Sequence, residues 1–319
     1  MDRPTSRSGG GASVVPRQLH RIASLLTGRL SDGAYAGGWA FVRALPEPVA
    51  MRLFRSGADL ALRRGGKRVD RLRTNLARVA PDADLDALTR DALRSYARYW
   101  CEVFRLQVTP SERIVGATTT IGEPAFREAV ASRTGTLLAL PHSGNWDHAG
   151  AWCGLTGAPF TTVAERLEPA SLFDRFVAFR ESLGMEVLPL TGGPRPPYDV
   201  LVERLEAGGT LCLLADRDLS ARGIDVDFFG ATARMPAGPA SLALRTGATL
   251  LPVTLSFLPD GWQVRFHDAV PHSDVATMTQ GVADAFADGI GAHPADWHML
   301  QRLWLDDLSP RTAPDGATT

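Results

Sequence analysis

The run Leu137-Leu138-Ala139-Leu140, closed by Pro141 and followed by His142-Ser143-Gly144-Asn145-Trp146-Asp147, constrains this chain more than any other stretch. Four consecutive apolar residues ended by a proline mark a short buried strand. Ser-Gly-Asn supplies a tight turn, and HAGAWCGL beyond Asp147 has the look of a helix. Strand, turn and helix in that order form the unit of an α/β sheet, whose ligand crevice opens at the carboxyl ends of the strands. His142 stands at such an end. Its imidazole can accept and return a proton near neutral pH, and an acid five residues on, Asp147, can orient the ring and stabilise its charged form.

The pattern continues through the second half of the chain. Helices are expected over Phe126–Arg133, Leu172–Leu183, Tyr198–Ala207 and Pro239–Thr246, with a last one from about Met278 to Gly291. Strands are expected over Thr136–Leu140, Phe160–Ala164, Glu186–Leu190, Thr210–Ala215, Ile224–Phe229, Thr249–Phe257 and Trp262–His267. Such alternation predicts an α/β fold with a mainly parallel central sheet flanked by helices. Three strands end in titratable groups: His142, Glu165 and Asp216. In an open parallel sheet these ends line one crevice, so His142, Asp147, Glu165 and Asp216 are expected to converge. The pairing of a histidine with one of these acids would strip a proton from an alcohol. No dinucleotide fingerprint, phosphate loop or Gly-x-Ser-x-Gly elbow is present, which points the base toward a substrate hydroxyl rather than a protein nucleophile.

The first third is different. Residues 1–80 carry 15 Lys and Arg against 5 Asp and Glu, although the whole chain has a net charge of −1. Val49–Leu62 is amphipathic at helical spacing, with Arg52, Arg55, Arg63 and Arg64 flanking its apolar face. Two more helices, RVDRLRTNLARVAP and LDALTRDALRSYARYWCEVFRLQ, follow. The second carries a largely aromatic stripe of Tyr96, Tyr99, Trp100, Phe104 and Leu106, suited to a helical core or to the lining of a greasy substrate site. A basic, amphipathic front end suits an anionic membrane surface. No aromatic stacking module accompanies the charge, so nucleic acid is not the expected partner. Residues 1–18 and 306–319 are expected to be disordered tails. Between them, 19–305 reads as one domain, with a helical membrane-associating part (19–108) and an α/β part (109–305). The N-terminus has no apolar core of signal-peptide length and no stretch is long enough to span a bilayer. Three widely separated cysteines suit a reducing compartment. The expected location is therefore the cytoplasmic face of the cell membrane, held peripherally.

His142-Ser-Gly-Asn-Trp-Asp147 resembles the His-x-x-x-x-Asp/Glu motif of glycerolipid and lipid A acyltransferases. Its Gly-Asn-Trp filling, together with Ala215-Asp216-Arg217-Asp218, Phe228-Phe229-Gly230 and Gly238-Pro239-Ala240 in that order, is similar to the branch of lipid A late acyltransferases and phosphatidylinositol mannoside acyltransferases. The resemblance covers about Leu19 to Leu305. Abundant Ala, Gly, Arg and Pro suit a high-GC genome, and the form ADRD favours the mannoside enzymes of actinobacteria over the lipid A enzymes.

The resemblance implies transfer of a long acyl chain from acyl-coenzyme A to the 6-hydroxyl of a mannose on phosphatidylinositol mannoside, with acyl-coenzyme A as co-substrate and neither a cofactor nor a metal. It implies His142 as general base, with Asp147 and Asp216 both candidates to hold its ring. It implies Glu165 and Arg180 near the acceptor's polar head, although Arg180 could instead pair on its own helix. Arg217 and Arg234 are candidates for a phosphate, or else plain solvated surface. A metal-dependent hydrolase built on His142, Asp147, His148, Asp216 and Asp218 is the rival enzyme reading.

Overall fold

The computed structural model describes residues 37–166, 170–218 and 223–308; the expected tail over residues 1–18 lies outside them. Four helices come first: α1 over residues 37–44, α2 (Glu47–Arg64), α3 (Lys67–Val79) and α4 (Leu85–Arg105). A short α5 (Ser111–Gly116) leads into β1 (Thr118–Ile121). Then α6 (Glu123–Ser132), β2 (Thr136–Leu140), α7 (Trp146–Leu155), β3 (Phe160–Ala164), α8 (Ala170–Glu181), β4 (Met185–Pro189), α9 (Pro197–Glu206) and β5 (Thr210–Leu214) alternate along the chain. The hairpin β6 (Ile224–Phe228) and β7 (Ala231–Met235), α10 (Gly238–Thr246), β8 (Thr249–Leu258), β9 (Gly261–Phe266) and α11 (Val275–Ala292) complete it.

The central sheet has seven strands in the order β1-β9-β8-β2-β5-β3-β4. It is mainly parallel; β9 runs antiparallel to β8, and β1 pairs parallel to β9. Apolar residues on β2, Leu137 to Leu140, are all buried, as a strand covered on both faces requires. One core lies between the sheet and α9, α10 and α11, and a second between the sheet and α4, α6, α7 and α8.

The helical front end is bolted to this body through particular bonds. The buried Asn75 of α3 donates to the carbonyls of Met299 (2.7 Å) and Gln301 (2.9 Å). Leu305–Asp307, expected partly within a disordered tail, instead forms a turn of 3-10 helix, because Asp307 pairs with Arg71 at 2.8 Å. No helix among the described residues is long and apolar enough to cross a membrane.

Candidate active site

Strand register builds the site. β2 and β5 are parallel neighbours with Leu140 opposite Leu214, and the Ala215 N–H donates to the Leu140 carbonyl at 2.8 Å. Two residues further along each chain stand His142 and Asp216, which therefore meet. Asp216 is fully buried and accepts from the His142 backbone N–H (2.9 Å, Oδ2), the indole N–H of Trp297 (3.1 Å, Oδ2) and the His142 ring Nδ1 (2.5 Å, Oδ1). Burial pushes this carboxyl upward, but the His142 charge and the three hydrogen bonds outweigh it and hold Asp216 below the usual carboxylate range. An ionised carboxylate only accepts, so Nδ1 carries a proton, and in the neutral ring the lone pair is on Nε2. The His142 side chain is 29% exposed, so that nitrogen is within reach of a substrate.

The turn after β2 is held rigidly. Gly144 has φ +53°, and a Cβ there would come within 2.8 Å of the Leu255 backbone, so only glycine fits. Asn145 caps α7, its side-chain oxygen accepting the His148 N–H at 2.9 Å, while its amide donates to Glu102 at 2.8 Å. The His142 carbonyl accepts the His298 N–H at 2.8 Å.

Asp147 does not meet His142. Because α7 begins at Trp146, the next residue is turned away from the crevice, into the space between α4 and α8. There it accepts Arg180 Nε at 2.7 Å and the Tyr99 hydroxyl at 3.0 Å, at 1% exposure. Burial opposes the charge on Arg180, but Asp147 beside it raises the guanidinium above its ordinary value. Burial, then the Asp147 charge, pushes the Tyr99 hydroxyl well up. Of the five residues of the hydrolase reading only His142 and Asp216 meet; His148 faces Thr118 (2.9 Å) and stacks on Trp262, Asp147 pairs with Arg180, and no group of three or more that could hold a metal forms among the described residues.

A cleft of about 420 Å³ opens at His142. Glu165, Arg180 and Arg217 line it with His142, and Tyr96, Tyr99, Trp100, Trp146, Phe173 and Phe176 form an aromatic wall. Phe104, in the same stripe, instead packs on Trp39 and Phe54. Arg234 is not brought here; it pairs with Asp225 across the β6–β7 hairpin at 2.7 Å. A larger cavity of about 590 Å³ lies beside α2 and α4. It holds none of the strand-end residues, and its Arg94, Arg98 and Arg113 are already ion-paired.

Two contributors escaped the sequence reading, Trp297 and His298. His298 Nε2 lies 3.0 Å from the Ser95 hydroxyl, which donates to Asp296 at 2.6 Å. Ser95 therefore receives the His298 Nε2–H, and Nδ1 is left as a buried acceptor without a partner among the described residues. Burial, reinforced by the charge of His142, pulls the His298 ring down to about 3, so it stays neutral. The only signal for these residues was an aromatic and a histidine side by side in HPADWHMLQRLW.

A sequence profile described as bacterial lipid A biosynthesis acyltransferase matches residues 20–306. The chain belongs to that acyltransferase family. A protein of Mycolicibacterium smegmatis (strain ATCC 700084 / mc(2)155) named phosphatidylinositol mannoside acyltransferase is 52% identical over 289 residues, covering 89% of this chain and 94% of the relative. One of the same name from Mycobacterium tuberculosis (strain CDC 1551 / Oshkosh) is 50% identical over 293 residues, covering 90% of this chain and 92% of its own. For an acyltransferase, an imidazole held by a carboxylate at the mouth of an aromatic cleft is the expected chemistry.

Proposed function

We propose that this acyltransferase moves a long, palmitoyl-like chain from acyl-coenzyme A to the mannose 6-hydroxyl of phosphatidylinositol mannoside. The observation that carries the proposal is His142 Nε2, left free by the Nδ1–Asp216 bond and placed where the aromatic wall meets the strand ends. Names of relatives sharing half their residues with this chain support the acceptor.

The residues define the steps. The acceptor hydroxyl approaches His142 Nε2 and gives up its proton as its oxygen attacks the thioester carbonyl. The resulting imidazolium is stabilised by Asp216, which cannot move because Trp297 and the His142 N–H hold its other oxygen. Collapse of the tetrahedral intermediate breaks the C–S bond, and the thiolate recovers the proton from Nε2. Acyl passes directly from donor to acceptor in a ternary complex. Tyr96, Trp100, Phe173 and Phe176 offer the chain an apolar wall, while Glu165 and Arg180 offer polar contacts to a sugar.

Delivery of a lipid acceptor suits peripheral attachment at the cytoplasmic membrane face. Phe41 of α1 and Val49, Leu53 and Leu60 of α2 are exposed, with the equally exposed Arg52, Arg63 and Arg64 on the same helix. Such a face partitions into an anionic interface. The deciding experiment incubates the protein with radiolabelled palmitoyl-coenzyme A and, in turn, phosphatidylinositol mannosides, a lipid A precursor and lysophospholipids. Label in the mannoside, at the mannose 6-position, is expected. Label only in the lipid A precursor, or only in free fatty acid, would sink the proposal.

A further inference from the structure

One face of α3 is spent on holding the cleft wall. Arg68, Arg71, Asn75 and Arg78 recur at helical spacing and so share a side of the helix. Asn75 binds the Met299 and Gln301 carbonyls, in the segment that walls the cleft. Arg71 and Arg78 share Asp307. Arg68 is the exception. It is exposed, lines the cleft, and has no hydrogen-bond or ion-pair partner among the described residues.

A second arginine in the cleft is in the same condition. Arg217 directly follows Asp216 and lines the cleft, and its Nε is buried without an acceptor among the described residues. The other charges are committed: Asp216 to His142, Asp147 to Arg180. Among the described residues, the cleft lining sets a single carboxylate, Glu165, against the two unpaired guanidinium groups. A buried guanidinium N–H left without an acceptor is costly, and a planar fork of donors fits phosphate oxygens bidentately.

Resting on the acyl-transfer reading, we propose that Arg68 and Arg217 together form a phosphate-binding rim on this cleft, which takes a phosphate carried by one of the two substrates. Both substrates supply that chemistry. Coenzyme A bears a pyrophosphate and a 3′-phosphate, and the acceptor bears a phosphodiester. Arg68 arrives on α3, whose position is fixed by Asn75, and Arg217 arrives on the β5 end, fixed by Asp216. The rim is thus built before substrate enters.

The test compares Arg68→Gln, Arg217→Gln and the double variant with wild type, using Arg73→Gln, which loses an ion pair to Asp86 away from the cleft, as control. Each cleft variant is expected to raise one KM by about tenfold and to change kcat less than threefold, the pattern of lost uniform binding. Palmitoyl-N-acetylcysteamine, a donor without phosphate, separates the sources. If the KM effect appears with palmitoyl-coenzyme A and vanishes with that donor, the phosphate is the coenzyme's. If the KM of the mannoside rises with either donor, it is the headgroup's. Calorimetric titration with free coenzyme A and with glycerophosphoinositol mannoside needs no turnover and should weaken about tenfold in the same variants. Weakened binding in a protein that transfers no acyl group would keep the rim and remove the reaction. Normal transfer with neither KM nor binding altered in the folded double variant would overturn the rim and leave the reaction standing.

Discussion

The indole N–H of Trp297 donates to Asp216 Oδ2 across 3.1 Å, between two fully buried side chains that lie 81 residues apart. With the His142 N–H on the same oxygen, this leaves Oδ1 for the ring Nδ1 and fixes the carboxylate's plane. Trp297→Phe keeps most of the packing and deletes the donor. Hydrogen bonds to charged groups contribute about 1.5–3 kcal/mol, so kcat/KM should fall roughly tenfold to a hundredfold. A folded variant whose rate matches wild type would show that Trp297 only packs.

Asp216 and Asp147 should fail in different ways. Asp216→Asn replaces the acceptor that sets the His142 tautomer, and the loss in kcat should be on the order of 10⁴-fold, as in other catalytic imidazoles deprived of their carboxylate. Asp147→Asn strands the buried charge of Arg180 instead. Breaking such a pair from one side costs about 3–5 kcal/mol, so the melting temperature should drop by on the order of 10 °C. Adding Arg180→Gln should restore most of that stability, because the orphaned charge goes too. Differential scanning calorimetry of the three proteins decides it; an Asp147→Asn protein as stable as wild type would show that the ion pair is not structural.

Why the motif acid misleads is a matter of local geometry. The spacing from His142 to Asp147 is legible in sequence, but the cap at Asn145 starts α7 between them and rotates Asp147 out of the crevice. The acid that reaches the ring comes from a neighbouring strand, and the sequence shows it only as a charge at the end of an apolar run. Strands with such runs, Thr136–Leu140 and Phe160–Ala164, lie where the periodicity places them. Thr118–Ile121 was missed because it is an edge strand of four residues, three of them threonine, with alternating half-burial and no apolar run. Ala231–Met235 was missed likewise: it pairs only with β6, and its ATARM sequence alternates weakly. Trp297 and His298 were invisible as site residues because their partners lie 81 and 203 residues away.

Membrane attachment can be separated from catalysis. Leu53 and Leu60 are exposed on α2 and line no part of the cleft. Burying a leucine is worth about 1.5–3 kcal/mol, so Leu53→Ser with Leu60→Ser should reduce partition into phosphatidylinositol-containing vesicles by at least tenfold. Turnover of acceptor presented in detergent micelles should be unchanged. Cosedimentation measures the first and the radiolabel assay the second. Equal binding of wild type to neutral and anionic vesicles would remove the electrostatic half of the docking reading.

Stability should depend on pH through buried histidines outside the proton-transfer step, His148 and His298 foremost, with His267, also lowered by burial, adding in the same direction. His148 is stacked on Trp262 with ring centroids 3.7 Å apart, and burial, helped by Arg98 and Arg113, pulls its ring down to about 3. His298 is pulled to about 3 by burial and the His142 charge. Both titrate near 6.5 when the chain is unfolded. The unfolded state therefore takes up protons first as pH falls. The stabilising contribution of the neutral rings is whole above about 6.5 and drains away between there and about 3, at about 1.4 kcal/mol per pH unit for each ring once the unfolded form is protonated. Asp216, whose ionisation is also depressed, adds its own loss only below the ordinary carboxylate range near 3.9, so the windows are distinct. Urea midpoints should accordingly decline steadily from pH 6 to pH 4. His148→Gln, which keeps a side chain able to reach Thr118, should lower stability at pH 8 yet make that slope clearly shallower. A midpoint that does not move between pH 6.5 and pH 4 would mean that one or both rings are protonated in the folded protein, and with it the neutral acceptor assigned to His298 would be lost.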